Sequence, residues 1–503
     1  MFEKITPEQA GISSLVIKTF IEKLEKRGAS MHSFLFMKGD KIFAEGYWKP
    51  FHKDFCHRQY SQTKSFVGVA IGLLEEEGRL NLDDKIVDYF PERIDSDISQ
   101  YLQNQTIREM LLMTTVGAST SWFISSDIDR THQYLNENRS LGKNGYVPHN
   151  SGMLWDYDSP GSQVLCSLVE KLSGKTLLEY LKIKLFNKMG AFQTASVLKT
   201  ANGESWGDSA MICTLRDMAM FGRLVMNYGV WDGERLMNER YLKEATSKLV
   251  DNSNTHYSAY HQGYGYQIWR VCGGGFAFVG MGDQLTVCYP EKDLIFACNS
   301  DNQGTSLIRE MIFTNLEDML VEQIKDASLP ENCNAEKELN ELISGLKLRS
   351  VYGMKDSSFR KELSGVEYVC DENPMGITKF AFVFNDEKTG EFRYTNAQGD
   401  KVIPFGVNHN VFGKFPQLGY SNEYGAVSTT DGFMYDDAVS LAWKNGKELL
   451  LCVQIIDKYF GNMSAKFSFR ENEVYVVFSK NAEYFLTEYK GSLTGRKSGH
   501  DIR

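Results

Sequence analysis

Strand-forming segments stand at both ends of the first 326 residues, and helix-forming segments fill the middle. Near the start, Phe34–Met37 and Ile42–Trp48 flank Lys38, Gly39 and Asp40, which reads as a hairpin. After residue 263 strand signals return at Tyr264–Trp269, Phe276–Val279, Gln284–Tyr289 and Leu294–Cys298, with a turn at Pro290–Asp293. An amphipathic helix is predicted over 14–27, with Leu15, Ile17, Phe20, Ile21 and Leu24 apolar. Residues 102–246 are mostly helical, with strong helices at Ser162–Ser173 and Leu215–Tyr228, each followed by glycine. A further helix is predicted over Ser306–Asp326. Strands at both ends of such a span predict one α+β domain: an antiparallel sheet with packed helices and a helical subdomain.

The remaining sequence has a different pattern. Residues 327–346 read as a linker and short helix, and 347–503 as a C-terminal all-β domain. Its hairpins are Phe380–Phe384 with Glu391–Tyr394, Val439–Trp443 with Glu448–Ile456 around Asn445 and Gly446, and Lys466–Arg470 with Val474–Phe478. Turn spacing of this kind predicts a sandwich or small barrel. The expected domains are therefore 1–326 and 347–503, with 327–346 between them.

Composition removes several function classes. A net charge of -10 without a basic stretch leaves nothing to follow a phosphate backbone, so no nucleic-acid partner is expected. Residues 1–11 lack a basic segment followed by an apolar run, and no stretch reaches the ~18 apolar residues that span a bilayer. No membrane partner is expected. Nine cysteines are scattered, several in apolar runs, without a C-x-x-C pair; reduced thiols and a cytoplasmic location are the expectation.

One short stretch carries chemistry. Ser61, Gln62, Thr63 and Lys64 precede a helix predicted over 65–77, whose apolar positions are Phe66, Val69, Ala70, Leu73 and Leu74. Ser61 then opens a helix with Lys64 one turn later on the same side. A serine hydroxyl becomes a useful nucleophile when a nearby base takes its proton, and a neutral lysine can do so. Tyr157 and Ser159 lie two residues apart in a turn-rich loop and can face one cavity, the phenol relaying a proton. The Ser61 N–H at the helix start is one candidate oxyanion donor. The glycine-dense segment 273–284 offers a strand edge for the other.

These residues resemble the penicillin-recognising serine hydrolases: class C β-lactamases, D-Ala-D-Ala carboxypeptidases, D-aminopeptidases and related esterases and amidases. Ser61 to Lys64 looks like the family's first motif and Tyr157 to Ser159 like its Tyr-x-Asn motif, with serine in place of asparagine. Segments 77–84, 106–117, 215–224 and 229–236 are also family-like, with Met113 where many members carry histidine. The resemblance covers roughly residues 5–325. At the third motif the chain departs: Gly275, Phe276 and Ala277 stand at the family's Lys-Thr-Gly, and Phe278 follows. Without that cation and hydroxyl a substrate carboxylate loses an anchor. The segment from Gly280 through Gly282 to Gln284 looks more like the amide hydrolases and esterases, including the 6-aminohexanoate-dimer hydrolase type. The C-terminal domain resembles the lipocalin-like β-domains of some relatives.

The resemblance implies a serine hydrolase. Ser61 attacks an ester or amide carbonyl of a small molecule or peptide, Lys64 is the base, and Tyr157 assists. The Ser61 and Phe278 N–H groups form the oxyanion hole, and Ser159, Gly280, Gly282 and Gln284 support the site. No cofactor is implied. The alternatives are a D-amino-acid peptidase or carboxypeptidase of the same family and a non-catalytic ligand-binding relative. His52 and His57 frame a mixed ligand set whose spacing fits no standard zinc pattern, and no metal is expected. Trp122, Trp155, Tyr264, Tyr266 and Trp269 could line an apolar pocket or pack in the core.

Overall fold

The structure is a computed structural model that describes residues 2–95, 98–115, 129–136, 151–255, 259, 261–305, 307–417, 421–425, 433–482 and 486–499. It comprises two compact units, Met1–Lys347 with Glu423–Val427, and Leu348–Asn422 with Ser428–Arg503.

In the first unit β1 (Glu3–Lys4), β2 (Met31–Lys38), β3 (Lys41–Tyr47), β4 (Trp269–Arg270), β5 (Phe276–Gly280), β6 (Gln284–Tyr289) and β7 (Leu294–Ser300) form one sheet, ordered β1-β3-β2-β7-β6-β5-β4. β1 joins β3 in parallel; the other pairs are antiparallel. The two ends of the unit meet at the centre, where Phe36 of β2 lies opposite Phe296 of β7.

The longer helices of this unit among the described residues are α1 (Ser14–Arg27), α2 (Thr63–Glu76), α3 (Ser159–Ser173), α4 (Leu215–Met226), α5 (Leu307–Asn315) and α6 (Cys333–Gly345). Strand alternation divides the core. Phe276 and Phe278 of β5 enter one cluster with Phe66 of α2 and Phe221 of α4. Ala277 and Val279 enter the other, with Phe20 of α1, Ile312 of α5 and Leu339 of α6. α1 starts where the Ser13 hydroxyl accepts the Leu15 N–H. Ile17, Phe20, Ile21 and Leu24 are buried, whereas Leu15 points away, 45% exposed, because helical geometry puts it opposite Ile17.

α2 differs from a surface helix. Every residue from Thr63 to Leu74 is buried, polar ones included. Gly72 permits this on one side: a Cβ there would lie 2.5 Å from the Tyr241 ring. A helix enclosed from its first residue holds its N-terminal end in place, and Ser61 stands just before that end.

Three expected elements change. Tyr264–Trp269 yields a strand only at Trp269–Arg270. Gln267 takes a φ of 58°, and its side-chain amide donates to the Met110 and Leu111 carbonyls at 3.0 and 3.1 Å, which bends the chain out of strand geometry. α3 starts at Ser159, three residues earlier than the apolar pattern, because the Asp158 carboxylate caps it through the Gly161 N–H. Leu307–Asn315 passes into a wider-turned segment, Leu316–Val321, and Ser306 lies outside the described residues.

The second unit is a closed barrel. Its strands are β8 (Glu367–Cys370), β9 (Lys379–Phe384), β10 (Thr389–Asn396), β11 (Gly399–Val407), β12 (Val411–Lys414), β13 (Asp436–Asn445), β14 (Glu448–Ile456), β15 (Phe460–Arg470), β16 (Glu473–Ala482) and β17 (Gly491–Lys497). First and last strands pair, β8 with β17. Closure comes where β11 meets β13 in parallel, leaving β12 as a side strand and nine in the barrel among the described residues. Aromatic rings fill the interior: Phe382 lies 4.9 Å from Phe467 and 5.1 Å from Phe392, all buried.

Candidate active site

Ser61 lies in a single 3-10 turn, Tyr60–Gln62, that runs directly into α2. A short strand places the turn: His57 and Arg58 pair with Cys213 and Ile212, and the Gln59 N–H donates to the Met211 carbonyl at 2.8 Å. Tyr60 then adopts a left-handed φ of 47°, which costs a non-glycine residue roughly 1 kcal/mol. Thr63 holds the reversal. Its hydroxyl donates to the Tyr60 carbonyl at 2.6 Å and accepts the Met211 N–H at 3.0 Å.

Lys64 Nζ is 3.1 Å from Ser61 Oγ and donates to the Asp208 carbonyl oxygen at 2.6 Å. The side chain is 2% exposed. Nζ also lies 5.1 Å from the centre of the Tyr157 ring. Held this way, Lys64 Nζ meets both the Asp208 carbonyl and the serine hydroxyl.

Tyr157 is half-buried and stacks on Trp269, ring centres 5.5 Å apart. Its neighbours in sequence are fixed by the backbone and by Asp158. The Asp156 N–H donates to the Met113 carbonyl at 2.9 Å. The buried Asp158 carboxylate accepts from the Thr115 hydroxyl at 2.6 Å, the Tyr134 phenol at 3.1 Å and the Gly161 N–H at 3.0 Å. Ser159 is the first residue of α3. Among the described residues no hydrogen bond joins Ser159 to Lys64; the Asp208 carbonyl meets the lysine instead. Trp122 and residues 148–150 lie outside the described residues. Trp155 and Tyr264 pack edge-on against Trp269, so these aromatics form a wall behind Tyr157.

β5 passes close to the serine turn. β4 pairs only with Phe276 and Ala277, so beyond that point the outer edge of β5 faces Tyr60–Gln62 instead of a strand. Phe278 pairs with Thr286 on the inner side, and its ring packs on Phe221 at 5.0 Å. Because the Gly275 carbonyl accepts the Val271 N–H on the outer edge, strand alternation turns the Phe278 N–H, expected as an oxyanion donor, onto β6 and away from the serine turn. Gly280 touches the turn: a Cβ there would lie 2.3 Å from the Gln59 carbonyl oxygen. Gly282 occupies the following hairpin turn with a φ of 75°. Gln284 is fully buried and donates to the Met281 and Ser300 carbonyls at 2.9 and 2.6 Å, so it braces the hairpin. Gly275, Phe276 and Ala277 are all buried and bring no charge to the site.

Several contributors had no sequence signal. Asp208 acts through a backbone carbonyl, which any residue possesses. Arg58, fully buried, lies 4.3 Å over the Tyr60 ring and donates to the Ser209 carbonyl at 3.0 Å. His57, considered above as a metal ligand, instead meets His32: Nε2 and Nδ1 are 2.9 Å apart, and His57 Nδ1 is 2.9 Å from the Arg58 carbonyl. That carbonyl requires a proton on His57 Nδ1, so His32 Nδ1–H donates to His57 Nε2. Burial drives the His32 imidazole well below its usual range, with the neighbouring His57 adding to it. Burial also brings His57 down to about 3, against the Arg58 carbonyl. No group of three or more potential metal ligands occurs among the described residues, and no described helix is long and apolar enough to cross a membrane.

Comparison with known proteins places the first unit's sequence in a family. The 6-aminohexanoate-dimer hydrolase of Paenarthrobacter ureafaciens is 24% identical over 315 residues, covering 58% of this chain and 78% of that protein. A Bacillus anthracis structure bearing the provisional name 6-aminohexanoate-dimer hydrolase superposes with a TM-score of 0.52 at 17% identity, covering 66% of this chain and 89% of that one. This second likeness is one of fold. The Beta-lactamase family model matches residues 16–310, a span that holds Ser61, Lys64, Tyr157 and β5. On that match, the chain belongs to the beta-lactamase family.

Proposed function

We propose that the protein hydrolyses an ester or amide bond of a small molecule or peptide through an acyl-enzyme on Ser61. The observation that carries this reading is the 3.1 Å approach of a buried Lys64 Nζ to Ser61 Oγ. Lys64 takes the serine proton as Oγ attacks the carbonyl carbon. Tyr157, beside the same Nζ, assists and returns a proton to the leaving alcohol or amine. Water then attacks the acyl carbon and frees Ser61. The Ser61 N–H takes the oxyanion together with an outward-facing N–H of β5, on a turn and a strand edge held together by the Gly280 contact.

The buried, uncharged Gly275–Ala277 stretch favours substrates that need no carboxylate anchor at this position, which points away from β-lactams. The 6-aminohexanoate-dimer hydrolase among the relatives is consistent with an amide as the scissile bond. The nine free cysteines suit a reducing compartment such as the cytoplasm.

The test is labelling with a fluorophosphonate and turnover of short-chain p-nitrophenyl esters, in the wild type, Ser61→Ala and Lys64→Ala. The expected result is labelling that disappears in Ser61→Ala and turnover reduced at least ~10³-fold in Lys64→Ala. A wild type that neither labels at Ser61 nor turns over any such ester refutes the hydrolase reading.

A further inference from the structure

Four amide side chains, Gln62, Gln59, Asn299 and Gln284, form a buried line from the serine turn to the β5–β6 hairpin, each no more than 1% exposed. Gln62 Nε2 donates to Gln59 Oε1 at 2.9 Å. Asn299 Nδ2 donates to Gln59 Oε1 and to Gln284 Oε1, each at 3.2 Å. Gln59 Nε2 donates to the His57 carbonyl at 2.9 Å. Gln284 Oε1 also accepts the Ser300 N–H at 3.1 Å. On the other side, Asn299 Oδ1 accepts the Ser33 hydroxyl at 3.3 Å.

Asn299 is the joint of this line. Its two amide hydrogens go to acceptors on two different elements, the turn that carries Ser61 and the hairpin that ends β5. Reversing the amide would aim Oδ1 at two other oxygens, so the donor direction is fixed by the partners. Gly280 also meets the Gln59 carbonyl at the same place, where a Cβ would lie 2.3 Å from the oxygen. The turn also holds Tyr60 in a left-handed conformation that it would relax if released.

We propose that Asn299 is a positioning residue: through Gln59 and Gln284 it sets the distance between the Ser61 turn and β5, and so the alignment of the two oxyanion donors. This rests on the reading of the Ser61 N–H and an outward-facing N–H of β5 as that hole. Asn299 touches no substrate in this scheme and acts only through the two amides.

The experiment compares the full-length wild type with Asn299→Asp, Asn299→Leu and Gln59→Leu. Asn299→Asp keeps the volume but puts an acceptor in place of both donated bonds; Gln59→Leu removes the bond on the serine side alone. The readouts are kcat and KM for p-nitrophenyl butyrate, the inhibition constant of butylboronic acid, and the melting temperature. A boronate forms a tetrahedral anion on the serine and so reports on the oxyanion hole. Misalignment of one donor predicts a kcat lower by about 10²-fold, a KM within about threefold, and a boronate constant weakened in parallel with kcat. Folded variants with kcat within about threefold of wild type overturn the proposal. So does a lower melting temperature with an unchanged boronate constant, which is the signature of a purely structural amide. If Asn299→Asp does not fold, Gln59→Leu carries the same two outcomes. Absence of Ser61-dependent turnover in the wild type refutes the hydrolase reading itself and this proposal with it, and is recognised before any variant is made.

Discussion

Gly280 faces the carbonyl oxygen of Gln59 so closely that a methyl group on it would lie 2.3 Å from that oxygen. The contact sets how near β5 comes to the turn bearing Ser61. Gly280→Ala must push the two apart or distort one of them. The expected result is a stability loss of about 1–3 kcal/mol and a fall in ester turnover of about 10²-fold. Thermal unfolding and p-nitrophenyl ester kinetics check both; unchanged turnover in a folded variant would contradict the placement.

The Asp158 carboxylate gathers Thr115, Tyr134 and the Gly161 N–H immediately after Tyr157. Asp158→Ala leaves these donors without their buried acceptor and releases the start of α3. A loss of about 2–4 kcal/mol is expected, together with lower turnover because Tyr157 loses its fixed approach to Lys64. Denaturant unfolding measures the first effect. Fluorophosphonate labelling rates measure the second.

The His32–His57 pair predicts how stability depends on pH. Both imidazoles are held neutral, with His57 lowered to about 3 and His32 displaced in the same direction. The unfolded chain binds protons on these groups below an ordinary histidine pKa of about 6.5, while the folded chain does not. Stability is therefore fully present above about pH 6.5 and is lost as pH falls toward 3, by up to about 5 kcal/mol from His57 alone. Melting temperature measured across that window should fall with acidification in the wild type. It should fall less steeply in His57→Gln, and equal slopes would remove the pair from the explanation.

Phe382 sits amid the rings that fill the barrel, next to Phe467 and Phe392. Phe382→Ala should cost about 3–5 kcal/mol, since close-packed aromatic neighbours cannot collapse into the space. Chemical denaturation followed by tryptophan fluorescence reads this, and a loss below ~1 kcal/mol would argue against a dry aromatic interior.

Much of the first unit was legible in the sequence because its signals are local. The hairpin around Gly39 and the α2 apolar positions Phe66, Val69, Ala70, Leu73 and Leu74 all occur where the periodicity puts them. In the barrel, the turn at Asn445 and Gly446 joins β13 to β14 as expected. The departures have local causes that only neighbours reveal. Gln267 bends away from strand geometry because Met110 and Leu111 offer carbonyls to its amide. α3 gains a turn because Asp158 caps it.

By itself the sequence determined the element types, the serine–lysine spacing and the absence of a cation at Gly275, Phe276 and Ala277, since each is a property of residue identity along the chain. Only the tertiary structure decided what those residues meet. It brought Asp208's carbonyl to Lys64, Asn299 between Gln59 and Gln284, and Gly280 onto the turn of Ser61. These partners are 144, 240 and 15 residues apart for the three hydrogen bonds. Two of the three bonds join segments distant in sequence, one of them through a backbone carbonyl common to every residue type, so no spacing rule along the chain encodes them; the packing of the helices and sheet around one enclosed helix does.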